Sequence, residues 1–178
     1  MLVWWQGHQA ISKAPYGILA GIKEGQLFKE GEWGSEICDM MKPAPNDIVC
    51  KGKSGLCGFQ STNLDFLLRQ NNAKNVVLGG FLTNCCVESS MRTAYELGYK
   101  VYTMKDCCAA TSVDAQNAAY EHNFGMFSVP TTSNVSFSFF YVILLWLDDV
   151  ISQHEIIKTV LRLVNFCLQE IINALKQD

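Results

Sequence analysis

The sequence predicts an α/β fold of three layers, α-β-α, built on a mainly parallel sheet. Two patterns and one quantity predict it. Between residues 46 and 130, short β-branched apolar segments alternate with segments of helical periodicity. Glycines close the strand at 79–80 and the helix before 98. That alternation builds βαβ units, whose helices cover both faces of a parallel sheet. The quantity is size: 178 residues, 49% hydrophobic and 17% charged, suffice for a buried core and exclude a disordered or fibrous chain.

The elements follow in order. Residues 1–45 read as irregular, because Gly17, Gly21, Gly25, Gly31 and Gly34 with Pro15, Pro43 and Pro45 leave little room for long elements. Leu2, Val3, Trp4 and Trp5 imitate a strand but carry no acid. Residues 47–50 read as a short strand. Residues 62–71 read as a helix with Leu64, Leu67 and Leu68 on one face and Thr62 or Asn63 as N-cap. Residues 75–78 form an apolar strand, 86–97 a helix, 99–104 a strand and 113–122 a third helix. Residues 124–129 are a candidate last strand.

Residues 134–178 change character and read as an apolar, helical extension. Residues 135–147 carry no charge. Ile157, Leu161, Val164, Leu168, Ile171 and Leu175 then repeat at 4-3-4-3-4 spacing, the seam of a helix packed on its own domain. The seam is short of the three heptads that argue for a coiled coil.

Composition also narrows the function. A net charge of −3 with no basic run argues against nucleic acid as a partner. The longest apolar run, 139–147, is far short of the roughly 20 residues that span a bilayer, so no membrane partner is expected. The first ten residues lack the basic and apolar regions of a secretory signal. The eight cysteines contain no C-x-x-C pair, and His8, His122 and His154 fall outside zinc-finger spacing. A reduced, cytoplasmic setting follows as the simplest expectation. Gly79-Gly80 is no dinucleotide fingerprint, because G-x-G-x-x-G is absent.

Ligands of open parallel sheets bind beyond the carboxyl ends of the strands. Three segments leave those ends: 51–55, 79–86 and 105–111. In the second, a buried strand ends in two glycines and a helix begins near Cys86. A thiol in the first turn of a helix faces unpaired N–H groups and the positive end of the helix dipole, which favour thiolate. Thr83 or Asn84 would cap that helix. The spacing leaves two readings open: an activated nucleophile, or two small apolar side chains filling the turn. Cys57, Cys107 and Cys108 read as packing cysteines, and His122 as a structural or exposed helix-end residue.

The segment G-F-L-T-N-C-C-V-E-S-S-M-R-T-A, followed by L-G-Y-K-V-Y-T-M-K-D-C-C-A-A-T-S, resembles the isochorismatase-like cysteine hydrolases. Their pattern is G-x-x-T-x-x-C-V-x-x-T, a second strand, then D-A/C-x-A. Upstream, D-I-V-C-K-G-K-S-G-L-C-G-F-Q-S-T-N-L-D-F-L-L-R resembles the family's K-x-x-x-S-x-F segment and the T-x-L-D-x-L-L helix after it. The likeness runs from about residue 16 to 133.

The resemblance implies a Rossmann-like topology and a hydrolase domain over residues 1–133. It implies cleavage of small amide, carbamoyl or ureido C–N bonds. The nucleophile falls on Cys86, the cysteine followed by valine. The lysine falls on Lys51, with Lys53 the lesser candidate. A cis peptide falls on Phe81-Leu82, and the oxyanion donors on the Leu82 and Cys86 N–H groups. Substrate contacts fall on Trp33, Phe59, Thr83 and Asn84; Trp33 alternatively sits in a surface turn. A small-molecule substrate and a homo-oligomer are implied. No cofactor is called for, and no metal, since the D-x-H spacing of the nicotinamidase branch is absent.

The family's aspartate, at the end of its first strand, has no counterpart near the start of this sequence, where the first Asp is Asp39. The chain reads as starting after that strand and helix. Asp106, which leaves the next strand on the same edge, is the candidate substitute. The alternatives to an active hydrolase are a non-catalytic relative acting in binding or assembly, and a thiol redox sensor using Cys85-Cys86 or Cys107-Cys108. Adjacent cysteines form strained disulfides, which counts against the sensor.

Overall fold

Val76, Val77 and Leu78 have no solvent exposure at all. A strand buried on both faces belongs in the interior of a covered parallel sheet, and these residues occupy such a place. The computed structural model describes residues 2–5, 13–27, 43, 45, 47–132 and 141–145. Its strands are β1 (Leu2–Trp5), β2 (Val49–Lys53), β3 (Asn75–Phe81), β4 (Lys100–Ala109), β5 (Val129–Thr131) and β6 (Tyr141–Leu145). They form one six-stranded sheet in the order β2-β1-β6-β3-β4-β5, and every pairing is parallel.

The helices are α1 (Ile18–Glu24), α2 (Leu64–Gln70), α3 (Glu88–Glu96), α4 (Val113–Ala118) and α5 (Gly125–Phe127). A π-helical turn, Thr83–Val87, leads into α3, and a second, Ala119–Phe124, joins α4 to α5. Leu64 and Leu68 lie one turn apart on α2 and are fully buried. With Met91 and Ala94 of α3 and Phe124, they pack on Val76, Leu78 and Val101 of the sheet. Val77 points to the opposite face, as strand alternation requires.

The structure departs from the sequence expectations in several places. Leu2–Trp5 is a true strand, paired with both β2 and β6, and 18–24, read as irregular, is helical. The strand expected at 47–50 runs instead from Val49 to Lys53. β3 and β4 run on past residues 78 and 104 to Phe81 and Ala109. No strand spans 124–128: Phe124 closes a π-helical turn and Gly125–Phe127 is helical, so β5 begins only at Val129.

The largest departure concerns the extension. Tyr141–Leu145 is a strand inside the same sheet, seated between β1 and β3. It runs in register from Val76↔Tyr141 to Gly80↔Leu145. A continuous apolar run suits an interior parallel strand, and this one fills the gap between the two halves of the sheet. The helical seam expected at 157–175 lies outside the described residues. Among the described residues no helix is long and apolar enough to cross a membrane.

Candidate active site

β3 and β4 lose regular register where the site begins. Two steps along β3, Leu78 to Gly80, match five along β4, Thr103 to Cys108. Gly80 takes φ +122°, a conformation open to glycine but rarely to other residues. The next peptide, Phe81–Leu82, is cis. Leu82 then serves as N-cap without a side-chain bond, and its carbonyl accepts from Cys85 N (3.1 Å) and Val87 N (3.2 Å). This turn sets the half-buried Cys86 at the carboxyl edge of the sheet.

The lysine that meets it comes from β2. Val3↔Cys50 and Trp5↔Lys53 are paired, so three steps on β2 match two on β1, a bulge of one residue. Gly52 inside the bulge has φ +87°. The bulge reverses the strand's alternation. Cys50 and Lys53 both turn inward, and Lys51 points to solvent. Lys53 is only 4% exposed. Its Nζ donates to the Gly55 carbonyl at 2.8 Å and lies 3.9 Å from Cys86 Sγ. The expectation for Lys51 is therefore corrected: the structure brings Lys53 to the thiol, and the Gly52 bulge is the reason.

The surroundings make one thiol acidic and the other inert. A hydrogen bond from the Cys85 thiol is the largest influence holding the Cys86 thiol down to about 6. The Lys53 charge and the Leu82 N–H add to it and overcome the desolvation that pushes the other way. Cys85 is driven up by the same hydrogen bond and by burial, so it keeps its proton. Burial lowers the Lys53 pKa, and the neighbouring thiols, Cys86 foremost, hold its charge against that.

A residue that sequence reasoning missed ties the two strand ends together. Ser90, fully buried on α3, donates its hydroxyl to the Cys86 carbonyl (2.8 Å) and accepts from Gly58 N (2.8 Å). It joins the Cys86 turn to the segment that follows Lys53. Nothing in the local sequence marks such a serine: its bond to the i−4 carbonyl is open to any helical serine, and its other partner, Gly58 N, is 32 residues away.

Thr83 is buried, and its hydroxyl goes to Gln116 instead of capping the helix. Asn84 is exposed and departs from helical geometry. Phe59 is 7% exposed and packs in the core with its ring 6.1 Å from that of Tyr99. Burial thus argues against the substrate contact expected for it. Trp33 lies outside the described residues. Asp106 sits on β4 and accepts from the Cys107 thiol at 3.6 Å. Among the described residues no three His, Cys, Asp or Glu side chains gather as a metal site.

The profile of the isochorismatase domain matches residues 3–135. The chain belongs to the isochorismatase family. A ureidoacrylate amidohydrolase, RutB, of Agrobacterium fabrum is 36% identical over 104 residues, 58% of this chain and 45% of its own length. One from Acinetobacter baylyi is 34% identical over 58% of this chain and 42% of its own. The chain thus spans less than half the length of these curated relatives.

Among solved structures, an isochorismatase family protein from Desulfovibrio vulgaris superposes with a TM-score of 0.63 at 22% identity, covering 74% of this chain and 68% of that one. It shares the fold. N-carbamoylsarcosine amidase from Thermoplasma acidophilum gives 0.54 at 28% identity, over 63% of each chain.

Within the isochorismatase family pattern, the sequence did hold a signal for the lysine that meets the thiol. In K-x-x-x-S-x-F the lysine stands six places before the phenylalanine. Counted from Phe59, that is Lys53, with Cys57 at the serine position.

Proposed function

We propose that this isochorismatase-family chain is a cysteine-dependent hydrolase of C–N bonds in small amides, carbamoyl or ureido compounds. One observation carries the proposal: the Cys86 sulfur stands 3.9 Å from the buried Lys53 ammonium at the carboxyl edge of the sheet. The relatives named as an amidohydrolase and an amidase support the bond type. Cys50, Cys57, Cys85 and Cys86 carry free thiols, which supports a reduced, cytoplasmic setting.

The geometry suggests the following course. The Cys86 thiolate attacks the carbonyl carbon, a C–S bond forms, and the carbonyl electron pair moves to oxygen. Backbone N–H groups of Leu82 and Cys86 hold that oxyanion. As the C–N bond breaks, the Lys53 ammonium gives its proton to the leaving nitrogen. The neutral Lys53 amine then takes a proton from water as the hydroxide adds to the thioester. Collapse expels the Cys86 thiolate and the acid product, and Lys53 is again an ammonium. Lys53 suits both roles because burial brings its pKa down from the ordinary lysine range.

Ammonia release from a panel of small primary amides, N-carbamoyl amino acids and ureido acids tests this reading. Release by the native chain and its loss in Cys86→Ser are the expected results. A native chain that releases no more ammonia than Cys86→Ser on any member overturns the reading and leaves a non-catalytic relative.

A further inference from the structure

We propose that Gln116 is a positioning residue, a side-chain clamp that fixes the Thr83–Val87 turn against the end of β4 and so sets where Cys86 and its partners stand. The inference rests on the reading of Cys86 as the nucleophile. Thr83 opens the π-helical turn and has no solvent exposure. Its hydroxyl donates to Gln116 Oε1 at 2.5 Å. The same amide donates from Nε2 to the Cys108 carbonyl at 3.1 Å. Cys108 in turn pairs with Gly80 in the sheet register.

These contacts close a ring. It runs from Gly80 through Phe81, Leu82 and Thr83 to Gln116, and back through Cys108 to Gly80. The ring encloses the stretch where β3 gives way to the nucleophile turn. Leu82 lies inside it, and the Leu82 carbonyl anchors the N–H groups of Cys85 and Val87. A rotation at Thr83 therefore moves the whole turn. The Leu82 N–H, one of the groups that holds the Cys86 thiol acidic, moves with it.

The chemistry of the clamp selects an amide. Thr83 needs an acceptor and the Cys108 carbonyl needs a donor, and glutamine offers one of each on a single planar group. The helix that carries it is fixed by Ser112, whose hydroxyl accepts from Ala115 N at 3.2 Å. Gln116 makes no part of the attack itself. Its effect reaches the sulfur only through the turn.

The test is alkylation of Cys86 by iodoacetamide as a function of pH, read by peptide mass spectrometry on the full chain, together with the thermal midpoint. Gln116→Leu and Gln116→Met remove both bonds at similar volume. Each is expected to move the half-maximal pH of Cys86 alkylation up by about one unit. That makes the reaction about fivefold slower at pH 6 and leaves it unchanged at pH 9, where the thiol is ionised in both. Thr83→Val is expected to give the same shift, and the double variant no larger one, because both changes break one linkage.

A merely structural glutamine lowers the thermal midpoint and leaves the alkylation profile where it was; that result in either folded Gln116 variant overturns the proposal. The two readings separate cleanly. A native chain that releases no ammonia, yet shows the Gln116-dependent shift, loses the hydrolase reading and keeps the clamp. A native chain that releases ammonia, with Gln116→Leu at the native profile, keeps the hydrolase and loses the clamp.

Discussion

Lys53 Nζ stands 3.9 Å from Cys86 Sγ across 33 residues of chain. Neither side chain reaches the other by local geometry. One is turned inward by a bulge at the end of β2, and the other is raised by the turn that follows β3. Their meeting is why the proposed chemistry uses Lys53 and not the exposed Lys51.

Replacing that lysine separates the candidates. Lys53→Met is expected to lower kcat/KM for ammonia release by about 100- to 10,000-fold, the usual range for loss of a general acid–base group. Lys51→Met, at an exposed position, is expected to stay within about twofold. Steady-state kinetics on the two variants is the check, and a reversed order contradicts the geometry.

The bulge itself is testable at Gly52. Its φ of +87° is a conformation that costs an alanine roughly 1–2 kcal/mol. A Cβ there also meets the Ser61 carbonyl at 3.4 Å. Gly52→Ala is expected to lower stability by about that amount in urea unfolding. Relief of the strain by flattening the bulge swings Lys53 away from the sulfur, so activity falls further than stability accounts for.

Ser90→Ala probes the tie between the two strand ends. It leaves the Gly58 N–H and the Cys86 carbonyl without their hydroxyl partner in a fully buried place. An unsatisfied buried group costs about 1–3 kcal/mol. Urea unfolding is expected to show a loss in that range. Ser90→Thr, which retains a hydroxyl, is expected to lose less.

Truncation after residue 133 tests the place of β6. It leaves β1 and β3 without their shared neighbour and divides the sheet into β2-β1 and β3-β4-β5. Exposed interior edges are aggregation-prone. Loss of a cooperative melting transition is the expected outcome by circular dichroism. An unchanged midpoint shows that the sheet holds without the strand.

The legible parts of this fold were those set by local pattern. The buried run of β3, the leucine face of α2 and the glycine-ended turn before Cys86 all announce themselves within a few residues. Lys53 is obscured because a strand ending at Cys50 puts Lys51 at its end, and alternation counted on from Cys50 turns Lys53 outward; only the Gly52 bulge brings it in. β6 was read as part of an extension because an apolar run looks alike in a buried strand and a buried helix. Its seat between β1 and β3 depends on a partnership over more than sixty residues, far beyond the windows of about 11–18 residues in which periodicity is read. Ser90 and Gln116 were missed for a related reason. The partners that tie them to other elements, Gly58 N for Ser90 and Thr83 for Gln116, lie more than thirty residues away and are brought near only by the fold.

The most direct measurement of the central claim is the pH dependence of Cys86 alkylation in the native chain and in Lys53→Met. The Cys86 pKa is lowered in the fold, so the thiolate and the reactivity it carries are present above about pH 6 and fade as pH falls through that value. The account predicts a native half-maximum near pH 6 and a rise toward the ordinary thiol range once Lys53 is removed. A native half-maximum above pH 8 that Lys53→Met leaves unmoved contradicts it.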